Sequence, residues 1–165
     1  MNIGVETEKN EFKKTTGELR EGIVSLASML NKNGYGVLYF GVKDNGDVVG
    51  QQIGDRTLRE ISQAIANFLK PQVIPTIEHE LIDGKNVIRV EVRGFEKPYS
   101  AYGRYYIRSD DADLLMTNYQ LQDFFINKNY DYSKWENEIT EFDEDIIDED
   151  LLINYINEGN EKGRI

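Results

Sequence analysis

Four acidic residues and one lysine are the groups in this sequence best suited to chemistry. Glu6, Glu8 and Glu11 run into Phe12 and Lys13, and Asp44 closes a short apolar stretch further on. Carboxylate oxygens gathered in one place are suitable ligands for Mg²⁺ or Mn²⁺. Such an ion activates water and stabilises charge building on a phosphodiester, while a neighbouring lysine holds a phosphate. In a strand Glu11 and Lys13 share a face at period two. Glu6 stands an odd five residues from Glu11, so it joins that face only if the backbone turns between them. The alternative is structural: Glu6 and Glu8 form a solvated N-terminal segment, and Asp44 is the first residue of an Asp-Asn-Gly turn. Spacing alone favours the alternative.

Other catalytic chemistry is thinly represented. There is no GxxxxGK[ST] phosphate loop, no HExxH and no GxSxG, there are no cysteines, and His79 is the single histidine. Disulfides, thiolate zinc sites and Ser-His or Cys-His catalysis are thereby set aside. Alternation in its strand puts His79 on the inward face, where it reads as a packed core residue.

Contacts to nucleic acid would fall to Lys13, Lys14, Arg20, Lys43, Arg104 and Arg108, with Tyr99, Tyr102, Tyr105 and Tyr106 interleaved. Basic groups track phosphates and aromatic rings stack on bases. Equally, the tyrosines could pack cross-strand partners and the arginines pair with Asp110, Asp111 and Asp113. The formal charge of -11 argues against a polyanionic partner, but it is unevenly spread. Residues 1–125 carry 15 basic and 18 acidic groups, against 4 and 12 in residues 126–165.

The positioning elements follow from pattern. Leu19, Ile23, Leu26, Ala27 and Leu30 recur at helical spacing, which predicts a helix over 16–32 capped by Thr15 or Thr16. Gly36 to Val42 reads as a buried strand, Asp44 to Asp47 as a turn, and Val48-Val49 as a returning strand. Leu58, Ile61, Ile65, Phe68 and Leu69 mark a second helix ended by Pro71. Ile77, His79 and Leu81, then Ile88, Val90 and Val92, alternate about Asp83-Gly84. Closing that turn pairs positions that sum to 167, so Glu78 faces Arg89 and His79 faces Ile88. Tyr105 to Arg108 reads as a further strand and Thr117 to Asn127 as a short helix.

Length allows one domain. The boundaries expected are 1–128 for the domain and 129–165 for an acidic linker with a short helix, leading to a C-terminal region of a longer parent. The longest apolar run is too short to span a bilayer and no signal peptide is visible, so a cytoplasmic setting is expected.

These residues together resemble the Schlafen AlbA-type domain. The resemblance rests on Glu6, Glu11, Phe12 and Lys13, on Asn33 to Gly46, on Val49-Gly50, on Lys70-Pro71, and on Lys97-Pro98-Tyr99 before Tyr106-Ile107-Arg108. It covers roughly residues 5 to 126. It implies an α/β domain of the α+β kind, a mixed or antiparallel sheet packed with about three helices. In bacteria such domains head proteins described as transcriptional regulators, often with a winged-helix or ATP-binding C-terminal part. In vertebrate Schlafen proteins a similar domain cuts RNA with three carboxylates, which by position fall on Glu6, Glu11 and Asp44. Those vertebrate enzymes pair two lobes into a cradle, which one copy could imitate only as a homodimer. The segment Leu30 to Gly36 departs from the usual Ala-Asn-Thr-x-Gly-Gly turn in its glycine spacing.

Three functions are therefore expected, in this order. The first is DNA or RNA binding through Lys13, Lys14, Lys43, Arg104, Tyr106 and Arg108. The second is a Mg²⁺- or Mn²⁺-dependent ribonuclease with Glu6, Glu11 and Asp44 as ligands and Lys13 on the phosphate. The third is an assembly or sensor module without nucleic acid.

Overall fold

The computed structural model describes residues 1–127; the expected linker and its short helix lie outside them. Two four-stranded sheets hold the described part together. In chain order the elements are β1 (Asn10–Lys13), a 3-10 turn (Thr16–Glu18), α1 (Leu19–Asn33), β2 (Tyr35–Phe40), α2 (Thr57–Phe68), β3 (Leu69–Lys70), β4 (Thr76–Ile82), β5 (Lys85–Arg93), β6 (Ser100–Ala101), β7 (Arg104–Ser109) and β8 (Ala112–Leu115). Residues 118–127 are helical. The first sheet runs β1-β2-β5-β4 and is mixed, because β1 and β2 are parallel. The second, β3-β6-β7-β8, is antiparallel. The α+β class with three helices is as the sequence implies.

The start of α1 is set by a capping box. The Thr15 side chain accepts from Gly17 N, and Glu18 Oε2 accepts from Lys14 N and Thr15 N. The end is set by Gly34, whose φ of 69° is the left-handed cap that a side chain resists. Between these ends the helix is buried almost all round, from Gly22 to Asn31 with the exception of Val24. Ile23, Leu26, Ala27, Met29 and Leu30 join Leu38 and Phe40 of β2 and Ile88, Val90 and Val92 of β5 in the main core. The other side of α1 is polar: Ser25, Ser28 and Asn31 are also buried. Asn31 is the clearest case. Its Nδ2 donates to Tyr99 O at 2.7 Å and Tyr106 O at 2.8 Å, and its Oδ1 accepts from Tyr99 N at 2.6 Å.

The hairpin forms in the expected register, with Glu78 opposite Arg89 and His79 opposite Ile88. Asp83 and Gly84 both take positive φ, 53° and 70°, as a type I′ turn demands. One expectation is corrected here. His79 is exposed on the edge strand β4, as is Leu81 on the same face, while Ile77 packs against the main core; the His79 Nε2 lies 2.9 Å from Asn86 Oδ1. The returning strand at Val48-Val49 shrinks to a single bridge between Val42 and Val48. The turn before it is tight enough to need glycine: Gly46 has φ 84°, and a Cβ there would lie 1.8 Å from Gly4 O. Leu69 leaves α2 to become β3 rather than extending the helix. Among the described residues no helix is long and apolar enough to cross a membrane.

Replacing Asn31 by Ala strands three backbone groups in the interior, each costing about 1–3 kcal/mol. Urea unfolding of Asn31→Ala is expected to give a stability several kcal/mol below wild type, with an unchanged denaturant slope.

Candidate functional site

The site is built at β1. After Thr7 the chain doubles back, with Thr7 N donating to Asn10 O at 3.0 Å. This turn returns Glu6 to the strand, where its Oε1 accepts from Phe12 N at 2.9 Å. Phe12 sits on the open side of β1, the edge of its sheet, so the carboxylate covers a strand N–H that would otherwise lack a partner. Glu6 is thus half-buried and engaged. Glu8 is the surface residue of the group, 3.7 Å from Lys32 Nζ.

Glu11 is 5% exposed and both its oxygens are taken. Oε1 accepts from Lys13 Nζ, and Oε2 accepts from Arg108 Nη2 at 2.6 Å. Arg108 is the largest of the fully buried side chains, with none of its side chain exposed. Its Nη1 donates to Asp113 Oδ1 at 2.8 Å, and Nε and Nη2 donate to Thr7 O at 3.3 and 3.2 Å. Asp113 in turn accepts from Ser25 Oγ at 2.6 Å and from Ser28 Oγ. The chain Lys13–Glu11–Arg108–Asp113–Ser25/Ser28 therefore runs from β1 through β7 and β8 into α1.

The parallel ends of β1 and β2 bring the remaining groups near. Gly41 N and Val42 N both donate to Lys13 O, so Lys13 and Lys14 leave β1 where Lys43 and Asp44 leave β2. Asp44 and Lys43 are exposed, in the turn closed by Gly46 N donating to Lys43 O at 2.7 Å. Burial pushes the Glu6 carboxyl up, and the charges of Glu11 and Asp44 add to this; the Phe12 N–H and Lys13 only partly oppose it. Burial pulls Lys13 down, but its hydrogen bond to Glu11 and the charges of Glu11, Glu6 and Asp44 leave it raised. The three carboxylates thus share one field centred on the Lys13 ammonium.

They do not form a ligand cage. Among the described residues no group of three or more His, Cys, Asp or Glu side chains stands close enough to hold a metal ion. Glu11 is occupied by two cations, Glu6 by a backbone N–H, and Asp44 lies out on its turn. The expected Mg²⁺ or Mn²⁺ site at Glu6, Glu11 and Asp44 does not fit this arrangement, and no catalytic step is derived through it.

One expected nucleic-acid contact is corrected. Arg108 is sealed inside, neutralised by Glu11 and Asp113, so it cannot touch a phosphate. Tyr106 packs on the main core beside α1 and keeps part of its surface in water. Tyr99, 2% exposed, is interior, its hydroxyl accepting from Glu96 N at 3.0 Å. Lys14, Lys43 and Arg104 are exposed, and Lys13 is partly so. Sequence reasoning named Asp113 as an arginine partner but missed Ser25, Ser28 and Asn31, whose only signal is a polar row on a helix read for its apolar one. A cavity of about 360 Å³ opens elsewhere, on the face of the first sheet turned away from α1, with Phe12, Tyr35, Tyr39, Lys9, Glu80 and Arg89 among its walls. Of the expected site residues none lines it.

Two outcomes test this electrostatic arrangement. Arg108→Met leaves Glu11 and Asp113 buried without their shared cation, a change of about 3–5 kcal/mol. Chemical denaturation should show that loss, and adding Glu11→Gln and Asp113→Asn should recover part of it. Glu6 is an acid raised on folding, so its ionisation opposes the folded state as pH rises through and above 4.5. Glu6→Gln, which keeps the acceptor for Phe12, should therefore melt above wild type at pH 7. The gap should close as pH falls below 4.5.

Comparison with other proteins came out as follows. Curated proteins gave no match. Among solved structures, the DIP2311 protein from Corynebacterium diphtheriae superposes with a TM-score of 0.55 at 18% identity, over 66% of this chain and 22% of that one. This chain thus spans about a fifth of that protein's length. The N-terminal domain of a RecG-related protein from Nitrosomonas europaea matches at 22% identity and a TM-score of 0.47, over 68% of this chain and 87% of that one. The family model described as Schlafen, AlbA_2 matches residues 6–117, from the Glu6 that covers β1 to the Thr117 that precedes the last described helix. The chain belongs to the Schlafen AlbA_2 family.

Proposed function

We propose that this domain binds nucleic acid, as the N-terminal part (residues 1–128) of a longer, DNA-binding regulator-like protein. Membership of the Schlafen AlbA_2 family carries the reading. Exposed cations support a location for it. Lys14 and Lys43 are exposed where the parallel strands β1 and β2 end, and Arg104 is exposed at the start of β7. Among the described residues these three form no salt bridge, so their charge is free to meet phosphates. Lys13 contributes less, because Glu11 already holds it. Counterion release drives such contacts whatever the base sequence. In the sequence, most of the excess acidity lies beyond residue 125.

The full chain, incubated with labelled duplex DNA or tRNA and run on native and denaturing gels, should shift the probe equally in Mn²⁺ and in EDTA, leave it intact, and release it as salt rises. Lys14→Ala with Lys43→Ala should lower the slope of log K against log salt on duplex by about 2, since each phosphate contact contributes roughly 0.9. Cleavage that needs Mn²⁺ and disappears in Glu11→Gln would replace this reading with a nuclease. Absence of both shift and cleavage would leave an assembly module.

A further inference from the structure

A second feature lies where α1, α2 and the β6–β7 turn meet. Tyr102 sits in that turn with a φ of 52°, a left-handed conformation uncommon for a large side chain. Its N–H donates to Phe68 O at 3.0 Å, pinning the turn to the last residue of α2. The two rings stack, with centroids 4.6 Å apart and planes inclined by 23°. Arg20, in the first turn of α1, lays its guanidinium carbon 4.1 Å from the Tyr102 ring centroid. Three planar groups from three elements are held together here.

Tyr102 packs against the main core, whereas Phe68 stays at the surface. Ile61 and Ile65 of the same helix are 1% and 0% exposed, whereas Phe68 keeps 44% of its surface in water. A large ring that costs free energy to expose, yet is stacked on a neighbour held by a left-handed turn, presents its remaining surface in a defined orientation. Cations flank it. On either side of β6 stand Lys70, opposite Ser100, and Arg104, opposite Ala101, both exposed. Lys70 Nζ is folded back on Ala66 O at 2.6 Å, a contact a phosphate could displace. Glu21 is the acidic group facing Tyr102, and Arg20 opposes its charge there.

We propose that Phe68, braced by Tyr102 and Arg20, forms a stacking platform for the bases of single-stranded nucleic acid, with Lys70 and Arg104 following the phosphates. Every base offers a π-face, so stacking tolerates any sequence, and the cations match the polyanionic strand. A duplex keeps its base faces covered by neighbouring pairs and cannot use the platform. The proposal rests on the nucleic-acid reading above and shares Arg104 with it, adding Phe68, Tyr102, Arg20 and Lys70.

The test measures binding of the full chain, by fluorescence anisotropy, to three labelled probes: a single-stranded 20-mer of deoxythymidine, an abasic strand of equal length, and a 20-base-pair duplex. Stacking contributes roughly five- to hundred-fold per base. Wild type should therefore hold the thymidine strand about tenfold more tightly than the abasic one. Phe68→Ala should remove that preference while leaving abasic and duplex binding unchanged, and Phe68→Tyr should retain it. Equal binding of thymidine and abasic strands by wild type, or an unaltered preference in Phe68→Ala, overturns the platform and leaves the general reading intact. If none of the three probes binds, both fall together.

Discussion

The buried guanidinium of Arg108 is the constraint on which the rest of the described structure depends. A charge without solvent is tolerated only when its donors are matched and its sign balanced. Arg108 meets that condition with ligands from three places: Glu11 on β1, Asp113 on β8, and the Thr7 carbonyl in the turn before β1. None of these can move far without leaving a charge unpaired. Because β1 belongs to one sheet and β7 and β8 to the other, a single side chain fixes the relation of the two. Asp113 extends the constraint to Ser25 and Ser28, which is why α1 carries polar residues on a buried side. Apolar contacts would have held the same layers; the ionic set also specifies which residues must face one another.

That constraint decides what the acidic cluster can do. A carboxylate is an open metal ligand when its lone pairs are unclaimed and its charge is not already neutralised. Glu11 fails on both counts, since Lys13 and Arg108 each occupy an oxygen. Glu6 is committed to the edge of β1. What remains near the ends of β1 and β2 is a field of mixed sign in which Lys14, Lys43 and Asp44 are the outward groups. The same residues that a spacing argument groups as a catalytic triad are here split between holding the fold and bordering its surface.

Much of the fold was legible in the sequence because it rests on period and turn chemistry. The Thr15 cap ahead of α1 and the Asp83-Gly84 hairpin follow from local rules, and the hairpin register came out residue for residue. The site was less legible because its determinants are long-range. Arg108 reaches Glu11 across 97 positions and Ser25 reaches Asp113 across 88, and no local pattern encodes either. Arg108 follows Tyr105, Tyr106 and Ile107 and looks like a surface cation in a strand; only the layer packed against that strand makes it interior. His79 erred the other way. Alternation assigned it the face of Ile77, but not that on the edge strand β4 this face is exposed at His79 and Leu81.

On the proposed reading, the two basic regions divide the physics of a nucleic-acid surface between them. Charge attracts at a distance and is screened within about 8–10 Å at ordinary salt. Lys14 and Lys43 have that character: long, hydrated and with no fixed geometry. Stacking acts only at contact and is insensitive to salt, and it needs a ring held still. The left-handed turn at Tyr102 and its bond to Phe68 supply that rigidity, at a conformational cost that hydrophobic burial would not require. A domain whose overall charge is weakly negative gains little from attraction alone. On the proposed reading, retention of a strand depends on the salt-independent part, so the exposed ring at Phe68 matters more here than it would on a strongly basic surface.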